Sequence, residues 1–378
     1  MKRSVFFLMF VALAAIVNAQ SGGRFIVDNL VAGGLSDQIS SPWEVKSLVI
    51  KGEIDKRDFD FIKTLSSMDS LYLEETQIAP YDAYAKDEIP REALKNLGNL
   101  KYISLPDVVA GIGTSAFESC GGLTSISFPA NIKVFGDSVF RNCYNLKYVI
   151  TPDHMGGAII GISIFENCSS LLNFTIPDGI ERIEDFSFKG CGWLMGIDIS
   201  ESVTTIGKSV FEGCSSLNQI TLPKNLSSIE DGAFSGTQLT KIYCNNPTPP
   251  AISDENAFGS LNKDNCTIYV PTEAAKEAYS KAPVWKEFLN IEVDTTTGIG
   301  DKNFDTSKLN ALIKPDYIQV TGVVGQGILS VVDLNGKTIL SRSVNDGEAV
   351  STGNLATGLY VLKIKDKENV FTQKFIMR

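Results

Sequence analysis

Cysteines are the residues of this sequence with the clearest capacity for chemistry, because five of them recur at almost constant spacing. They are Cys120, Cys143, Cys168, Cys191 and Cys214, separated by steps of 23, 25, 23 and 23 residues. Thiols in such a row could ligate a metal, form disulfides or fill a core as small apolar groups. The answer decides whether the chain carries out chemistry or displays a surface.

The spacing argues against a metal centre and against a ladder of disulfides. Zinc ligands come in close pairs such as C-x2-C, backed by histidines. Side chains in register on stacked strands point the same way, so their Cβ atoms do not converge as a disulfide requires. Burial in the core is therefore the favoured role. A bond between Cys244 and Cys266, which lie outside the row, stays an open alternative.

The single histidine, His154, limits the catalysis that the chain can perform. Acid–base catalysis by histidine, or a multi-histidine metal site, would depend on this one residue. Carboxylates such as Glu181, Glu184 and Asp185 are scattered and indicate a solvated face. We therefore predict no catalytic residues, no metal site and no cofactor. A glycan-processing enzyme, the remaining enzymatic alternative, would need two carboxylates that converge in a pocket.

The cysteines belong to a longer repeat with a period of about 23 residues. Each unit reads I-x4-F-x2-C-x2-L-x2-I-x-φ-P, where φ is apolar, as in Ile206, Phe211, Cys214, Leu217, Ile220, Leu222 and Pro223. Self-similarity at this period predicts a solenoid whose coils share their apolar faces. Leu97 fills the cysteine position of an earlier unit, which supports the core role. We expect eight or nine coils within residues 42–292, capped by residues 272–290.

The first 19 residues have the pattern of a secretory leader. Lys2 and Arg3 precede an apolar run that ends in a small-residue cleavage site at Ala19. We expect cleavage there, followed by a lead segment over residues 20–41. No later stretch reaches eighteen apolar residues, so we expect no membrane span.

The chain is acidic, which limits its partners. The formal net charge is −10, and it becomes −12 if Lys2 and Arg3 are removed with the leader. An acidic chain gains nothing from the phosphate attraction that drives nucleic-acid binding, and an anionic lipid surface repels it. We therefore predict neither a nucleic-acid nor a membrane partner.

This repeat resembles the BspA-like leucine-rich repeat family of bacterial surface proteins, of the Bacteroidetes type. The phrases "NNPTPPAI" (245–252) and "CTIYVPTEAAKEAYSKAPVWKEF" (266–288) also resemble the ends of such arrays. The resemblance covers residues 42–292. It implies an α/β-type curved solenoid with a parallel β-sheet, no catalytic residues, and a role in adhesion or binding at host or bacterial surfaces.

The pattern changes to alternation of apolar and polar residues near the C-terminus. Residues 293–308 are polar, rich in Gly, Thr and Asp, and are typical of a linker. Residues 309–378 then contain at least five short alternating runs, which predict a small all-β sandwich. Asn335-Gly336 lies between two of these runs and predicts a hairpin turn, because that turn requires positive φ.

This last domain resembles the C-terminal sorting domain of the type IX secretion system. The matching positions are Asp333, Asn335, Gly336, Gly358, Tyr360 and Lys374. The resemblance implies passage across the outer membrane, then removal of the tail and attachment or release at the cell surface. The opening "IKPDYIQV" (313–320) departs from the family's Pro-Asn-Pro phrase. A divergent domain that stays on the protein is therefore the alternative.

Alternation along each strand predicts which side chains face outward. If Leu217, Ile220 and Leu222 face the core, then Gln219 and Thr221, which alternate with them along the strand, face solvent. The candidate binding residues on this face are Tyr72, Tyr102, Tyr148, Asn173, Asp198, Gln219, Lys241, Tyr243 and Tyr269. The tyrosines form an N-terminal trio and a C-terminal pair, and tyrosine is enriched in binding surfaces. The alternative is that tyrosine simply suits half-buried sheet positions.

The step of 25 residues marks one irregular loop, "TPDHMGGAIIG" (151–161). Two extra residues must bulge there, and Gly156-Gly157 permits this. His154 and Met155 are weaker candidates for binding, because loops on rigid scaffolds often carry contacts. A tolerated insertion is the alternative.

The sequence therefore predicts an exported monomer, on the cell surface or secreted and associated with the outer membrane. We expect it to recognise an extracellular protein or glycan of the host or of another bacterium through its repeats. A structural envelope or spacer protein without a dedicated ligand is the alternative. An exposed, connected tyrosine face favours the first hypothesis, and a covered face favours the second.

Overall fold

A computed structural model describes most of the chain and divides it into two compact units. The described residues are 16–20, 22–152, 154–294, 310–313, 317–321, 323, 326–333, 337–345, 348–352, 355, 358–366 and 370–377. The division between the units falls between Asp294 and Thr295. The first unit contains the repeats.

The described part of the first unit consists mainly of short strands. In chain order they are β1 (Ile16–Gln20), β2 (Arg24–Leu30), β3 (Ser47–Ile54), β4 (Ser70–Tyr72), β5 (Thr76–Ile78), β6 (Glu88–Ile89), β7 (Tyr102–Ser104), β8 (Gly111–Ile112), β9 (Ser125–Ser127), β10 (Val134–Phe135), β11 (Tyr148–Ile150), β12 (Ile159–Ile160), β13 (Asn173–Thr175), β14 (Arg182–Ile183), β15 (Gly196–Asp198), β16 (Thr205–Ile206), β17 (Gln219–Leu222), β18 (Ser228–Ile229), β19 (Lys241–Cys244), β20 (Ala251–Ile252), β21 (Thr267–Val270) and β22 (Asn290–Val293). The helices are α1 (Leu35–Gln38), α2 (Lys56–Ile62) and α3 (Glu273–Lys281), with 3-10 turns at Pro42–Glu44, Glu255–Phe258, Lys263–Asn265 and Trp285–Glu287. All of these helices lie near the two ends of the array.

Each full coil contributes a strand to a front sheet and a two-residue strand to a back ladder. The strands of the front sheet form four hydrogen-bonded groups, which are β2-β3-β4-β7, β9-β11, β13-β15 and β17-β19-β21-β22. The back ladder has two groups, β6-β8-β10-β12 and β14-β16-β18-β20. Within every group, neighbouring strands are parallel. The register is constant from coil to coil, so that Ile206 lies opposite Ile229 and Tyr243 opposite Tyr269. The predicted solenoid with its parallel sheet is confirmed. The back ladder was not foreseen.

A column of stacked phenylalanine rings runs through the core between the sheets. Its members are Phe117, Phe140, Phe165, Phe188, Phe211, Phe234 and Phe258, with neighbouring ring centroids 5.1–5.8 Å apart and ring planes within 24° of each other. These values lie in the range for favourable offset stacking. Trp285 and Phe288 pack edge-on against Phe258 and so close the column at the C-terminal cap.

The turn around each phenylalanine forms a third set of bonds between coils. At the six phenylalanines from Phe117 to Phe234, the residues two before and two after the ring have positive φ, as at Ser163 (56°) and Asn167 (60°) around Phe165. Every second backbone N–H of the turn then donates to the next coil: Phe165 N to Ser187 O at 2.9 Å and Asn167 N to Lys189 O at 2.7 Å. Serine, asparagine and glycine occupy most of these positions, and asparagine and glycine adopt the left-handed conformation most readily.

The cysteines of the row lie in the same turn, and their surroundings show which role they have. The five cysteines of the row are fully buried, and each thiol lies within hydrogen-bond distance of a carbonyl of the preceding coil. Cys168 Sγ, for example, lies 3.1 Å from Phe140 O, and Cys143 N donates to the same oxygen at 3.1 Å. Each cysteine thus supplies a small apolar volume and a weak donor that satisfies the second lone pair of a buried carbonyl. The core role is confirmed.

Alternating charges line the outside of these turns, one residue per coil. The row is Lys95, Glu118, Arg141, Glu166, Lys189 and Glu212, each directly after the phenylalanine position. Glu118 is nearly buried and lies between two cations, with Lys95 Nζ 3.0 Å from Oε2 and Arg141 Nε 3.1 Å from Oε1. These hydrogen bonds hold the pKa of Glu118 at about 2, against the opposing effect of burial. If one coil were to stack on the next but one instead of on its neighbour, like charges of the row would meet. The alternation of sign therefore favours the native order of stacking.

The back ladder is interrupted next to the irregular loop. The two extra residues lie between β11 and β12, and among the described residues β12 and β14 do not pair. A cavity of about 50 Å³ opens there, with Phe135, Ile160 and Phe174 in its lining. The phenylalanine turns still join the coils of β12 and β14, because Phe165 N donates to Ser187 O at 2.9 Å.

The second unit contains two antiparallel sheets around a common core, as predicted for the sandwich. One sheet contains β23 (Asn310–Ile313), β24 (Tyr317–Thr321) and β27 (Ala349–Ser351), and the other contains β25 (Gly327–Asp333), β26 (Thr338–Val344), β28 (Gly358–Lys365) and β29 (Val370–Met377). Ile318 of the first sheet and Leu329 and Leu362 of the second belong to one buried cluster. The antiparallel pairing of β25 with β26 agrees with the predicted hairpin, although Asn335 and Gly336 themselves lie outside the described residues.

The predicted leader and linker fall mostly outside the described residues. The expected cleavage point after Ala19 lies within β1, which pairs antiparallel with β2, and it stays a prediction. Of the predicted linker, residues 295–308 are not described. Among the described residues, no helix is long and apolar enough to cross a membrane.

Thiol labelling tests the role assigned to the cysteines. Burial raises the pKa of the Cys120 and Cys214 thiols to about 12, so none of the seven buried thiols should react in the native protein at pH 8. In denaturant without reductant, we expect all seven to be labelled, as read by intact mass. A count of five would show that two of them are bonded, with Cys244 and Cys266 the first suspects.

The pH dependence of stability tests the charge row. Because the folded pKa of Glu118 is about 2 and its usual value is 4.5, this group stabilises the fold above pH 4.5. We expect Glu118→Gln to lower the free energy of unfolding at pH 7 by on the order of 3 kcal/mol. That difference from the parent should shrink as the pH falls from about 5 towards 2. Urea titrations of both proteins across this range would measure it.

Glu255→Gln is the matched control for this experiment. Glu255 is exposed in the C-terminal cap, and we expect its replacement to change the free energy of unfolding by less than about 0.5 kcal/mol. A Glu118→Gln effect that stays constant from pH 7 to pH 2 would contradict the assigned ion pairs.

Candidate functional site

The front sheet presents two rows of outward side chains, because alternate residues of each strand face away from the core. In β17, Ile220 and Leu222 are buried whereas Gln219 and Thr221 are exposed. Equivalent positions repeat in the other front strands, so the structure places all nine predicted sheet residues on this surface. Asn173, Asp198, Gln219, Lys241 and Tyr102 are exposed, and Tyr72, Tyr148, Tyr243 and Tyr269 are half-buried.

The N-terminal part of this face carries a pair of tyrosines beside an arginine. The ring centroids of Tyr72 and Tyr102 are 5.1 Å apart, on diagonal positions of the paired strands β4 and β7. The guanidinium carbon of Arg24 lies 5.8 Å from the centroid of Tyr72, within reach of a cation–π interaction. Burial, followed by the charge of Glu74, raises the pKa of Tyr102, so its hydroxyl stays protonated at neutral pH.

The third tyrosine of the predicted trio stands apart from this pair. Tyr148 lies opposite Ser125 in the register of β9 and β11, and Ser125 lies between it and Tyr102. Only 9% of Ser125 is exposed, because the larger side chains on either side cover it. The structure therefore brings two of the trio together and leaves the third two strands further on, with β9 between them.

The C-terminal pair is the tightest aromatic contact on the face. Tyr243 and Tyr269 are directly opposite each other in β19 and β21, with ring centroids 4.9 Å apart and ring planes 15° apart. Six strand spacings separate Tyr102 from Tyr243, which at about 4.8 Å each amounts to roughly 29 Å. The three strands β13, β15 and β17 between Tyr148 and Tyr243 present only Asn173, Thr175, Gly196, Asp198, Gln219 and Thr221.

The irregular loop supplies one exposed side chain. His154 is exposed, and its Nδ1 lies 3.1 Å from Asp178 Oδ2, which lowers the pKa of that carboxyl. Met155 is 2% exposed and belongs to the core, so its assignment as a loop contact is corrected. Met155 was predicted to be a loop contact because it follows His154 in the irregular segment. Its backbone N–H instead donates to Asp178 O, and its side chain is buried.

A group of exposed apolar side chains at the rim of the front sheet was not predicted. Tyr144, Trp193 and Met195 are 51%, 66% and 52% exposed. The repeat could have predicted this exposure. In "CGWLMG", Trp193 and Met195 occupy x positions of the pattern C-x2-L-x2-I, and these positions face solvent.

Among the described residues, no group of three or more His, Cys, Asp or Glu side chains is arranged to hold a metal ion. The cluster of Arg182 with Glu184, Asp185 and Glu230 consists of ion pairs at 3.0, 2.7 and 2.6 Å. Glu184 and Asp185 belong to the same coil as Arg182, and the bond to Glu230 reaches across the intervening coil on the side of the back ladder.

The sorting-domain positions occupy paired strands of the second unit. Asp333 at the end of β25 lies opposite Tyr360 of β28, and Tyr360 is 7% exposed. Gly358 begins β28, and Lys374 of β29 lies opposite Val361. Asn335 and Gly336 lie outside the described residues.

Comparison with solved structures finds other bacterial leucine-rich repeat proteins. A T. pallidum leucine-rich repeat protein is 22% identical and covers 54% of this chain and 87% of its own, with a TM-score of 0.37. A leucine-rich repeat protein from Bacteroides ovatus is 18% identical and covers 75% of this chain and 99% of its own, with a TM-score of 0.35. An internalin from Listeria monocytogenes is 16% identical and covers 72% of this chain and 81% of its own, with a TM-score of 0.32. Among curated proteins, none matches the sequence significantly.

Comparison with protein families identifies both parts of the chain. Residues 85–156 and 156–264 match the BspA type leucine rich repeat region in six copies. Residues 316–378 match the secretion system C-terminal sorting domain. No enzyme family was found. Residues 85–264 are therefore a BspA type leucine rich repeat region, and residues 316–378 are a secretion system C-terminal sorting domain.

Proposed function

We propose that this protein is an exported, non-enzymatic binding protein that recognises an extracellular protein or glycan through its front sheet. The sorting domain supports export to the cell surface or release from it, and leucine-rich repeat surface proteins typically bind other proteins. We expect it to act as a monomer.

The observation that carries this proposal is the pair of aromatic clusters on the front sheet. Tyr72 with Tyr102, and Tyr243 with Tyr269, present rigid rings whose hydroxyls can hydrogen-bond a partner. Tyrosine contributes large contact areas at a low entropic cost. The coil contacts fix the distance between the clusters, which suits an extended partner that spans several coils.

A spacer without a dedicated ligand is the second candidate, because the tyrosines also cover one another. Tyr72, Tyr243 and Tyr269 are half-buried, and each of these rings packs on a neighbouring tyrosine of the face. Such packing stabilises a sheet surface even when no partner binds.

An array experiment separates the two candidates. The purified protein would be tested on arrays of glycans and of extracellular proteins, beside a variant with Tyr72, Tyr102, Tyr148, Tyr243 and Tyr269 changed to serine. If the front sheet is the site, we expect the variant to bind at least tenfold more weakly, a loss of about 1.4 kcal/mol or more.

The matched control changes two tyrosines that lie off the face. Tyr81 and Tyr84 form an isolated bridge in the loop before β6, and their replacement by serine should leave binding unchanged. Far-UV circular dichroism would show that both variants are folded. Binding that survives in the five-tyrosine variant would move the site to residues 151–161, and no binding by the parent would favour the spacer.

A further inference from the structure

The exposed apolar side chains at the rim belong to the first and third of three successive coils, Tyr144 to one and Trp193 and Met195 to the other. Ser170 N donates to Tyr144 O at 3.2 Å, and Trp193 N donates to Ser169 O at 3.1 Å, which joins the rim turns of the three coils. Met195 N donates to Leu172 O at 2.9 Å, so these two apolar side chains belong to adjacent segments. Exposed apolar groups in such a cluster mark interaction sites more often than scattered ones do.

The front sheet next to this group presents small and polar residues. Met195 directly precedes Gly196, which leaves a position without a side chain between those of Asn173 and Gln219. A Cβ on Gly196 would approach Asn173 Oδ1 to 3.0 Å, so the amide of Asn173 borders the open position. Asn173, Asp198 and Gln219 are exposed and together offer both hydrogen-bond donors and acceptors.

The charge of this region favours an uncharged ligand. Among the six outward positions of β13, β15 and β17, Asp198 is the one charged residue, and none is a cation. An anionic polymer would therefore find no counter-charge on these three strands. A cationic peptide would find one carboxylate, which contributes little at an exposed position.

We propose that Trp193, with Met195 and the polar shelf of Asn173, Asp198 and Gln219, binds a neutral polysaccharide. This inference rests on the proposed binding function, and it assigns a class of ligand to the central front strands β13, β15 and β17. A pyranose ring has an apolar C–H face, which packs on the exposed indole, and hydroxyls, which both donate to and accept from amides and carboxylates. More than half of the surface of Trp193 is exposed, so it forms a platform rather than a recess for a peptide side chain.

Native affinity electrophoresis tests this proposal with defined polymers. The full chain would be run in gels that contain mannan, xylan, hydroxyethylcellulose or soluble starch, and in gels that contain polygalacturonate as an anionic comparison. We expect at least one neutral polymer to retard the protein and Trp193→Ala to weaken that interaction tenfold or more. Met195→Ala should weaken it to a smaller extent.

Trp43→Ala is the matched control, because Trp43 is 68% exposed and lies in the 3-10 turn at the N-terminal end of the array. Its replacement should leave the retardation unchanged. The proposal is overturned if no neutral polymer retards the protein, if polygalacturonate does so more strongly, or if Trp193→Ala binds as the parent does. If the protein array still shows tyrosine-dependent binding, this inference fails while the proposed function stands.

Discussion

Contact between neighbouring coils at the phenylalanine turn is the interaction on which the rest of the structure depends. Each coil is too short to bury its own apolar side chains, so it is stable only when the next coil covers them. At this turn, ring stacking, backbone hydrogen bonds and the cysteine thiol all act across the same boundary, as between Phe140 and Phe165. The buried carbonyls are thereby satisfied without water.

The binding face follows from this constraint. Because every coil repeats the register of its neighbour, outward side chains fall into rows, and Tyr243 must lie opposite Tyr269. The chain can therefore vary the outward residues without disturbing the core, since the turn holds the backbone in place. Trp193 in an otherwise small and polar rim row is one such variation. A face built in this way is already ordered before a partner binds, which lowers the entropic cost of binding.

Much of this could be predicted from the sequence, because the repeat fixes both the period and the inward positions. The core role of Cys214, the outward position of Gln219 and the cap helix α3 followed from spacing alone. The positive φ of Ser163, the alternation of Lys95 with Glu118, and the inward turn of Met155 did not. These features depend on which residues of adjacent coils meet in space. A single unit of the repeat does not contain that information.

Hydrogen exchange of Phe165→Ala tests the central claim that the coils stabilise one another through this turn. Phe165 is stacked between Phe140 and Phe188, so its loss should lower the free energy of unfolding by about 3–5 kcal/mol. The account predicts that amide protection falls in the coils on both sides, including β11 and β15 of the front sheet. Loss of protection confined to the coil of Phe165 itself would contradict it.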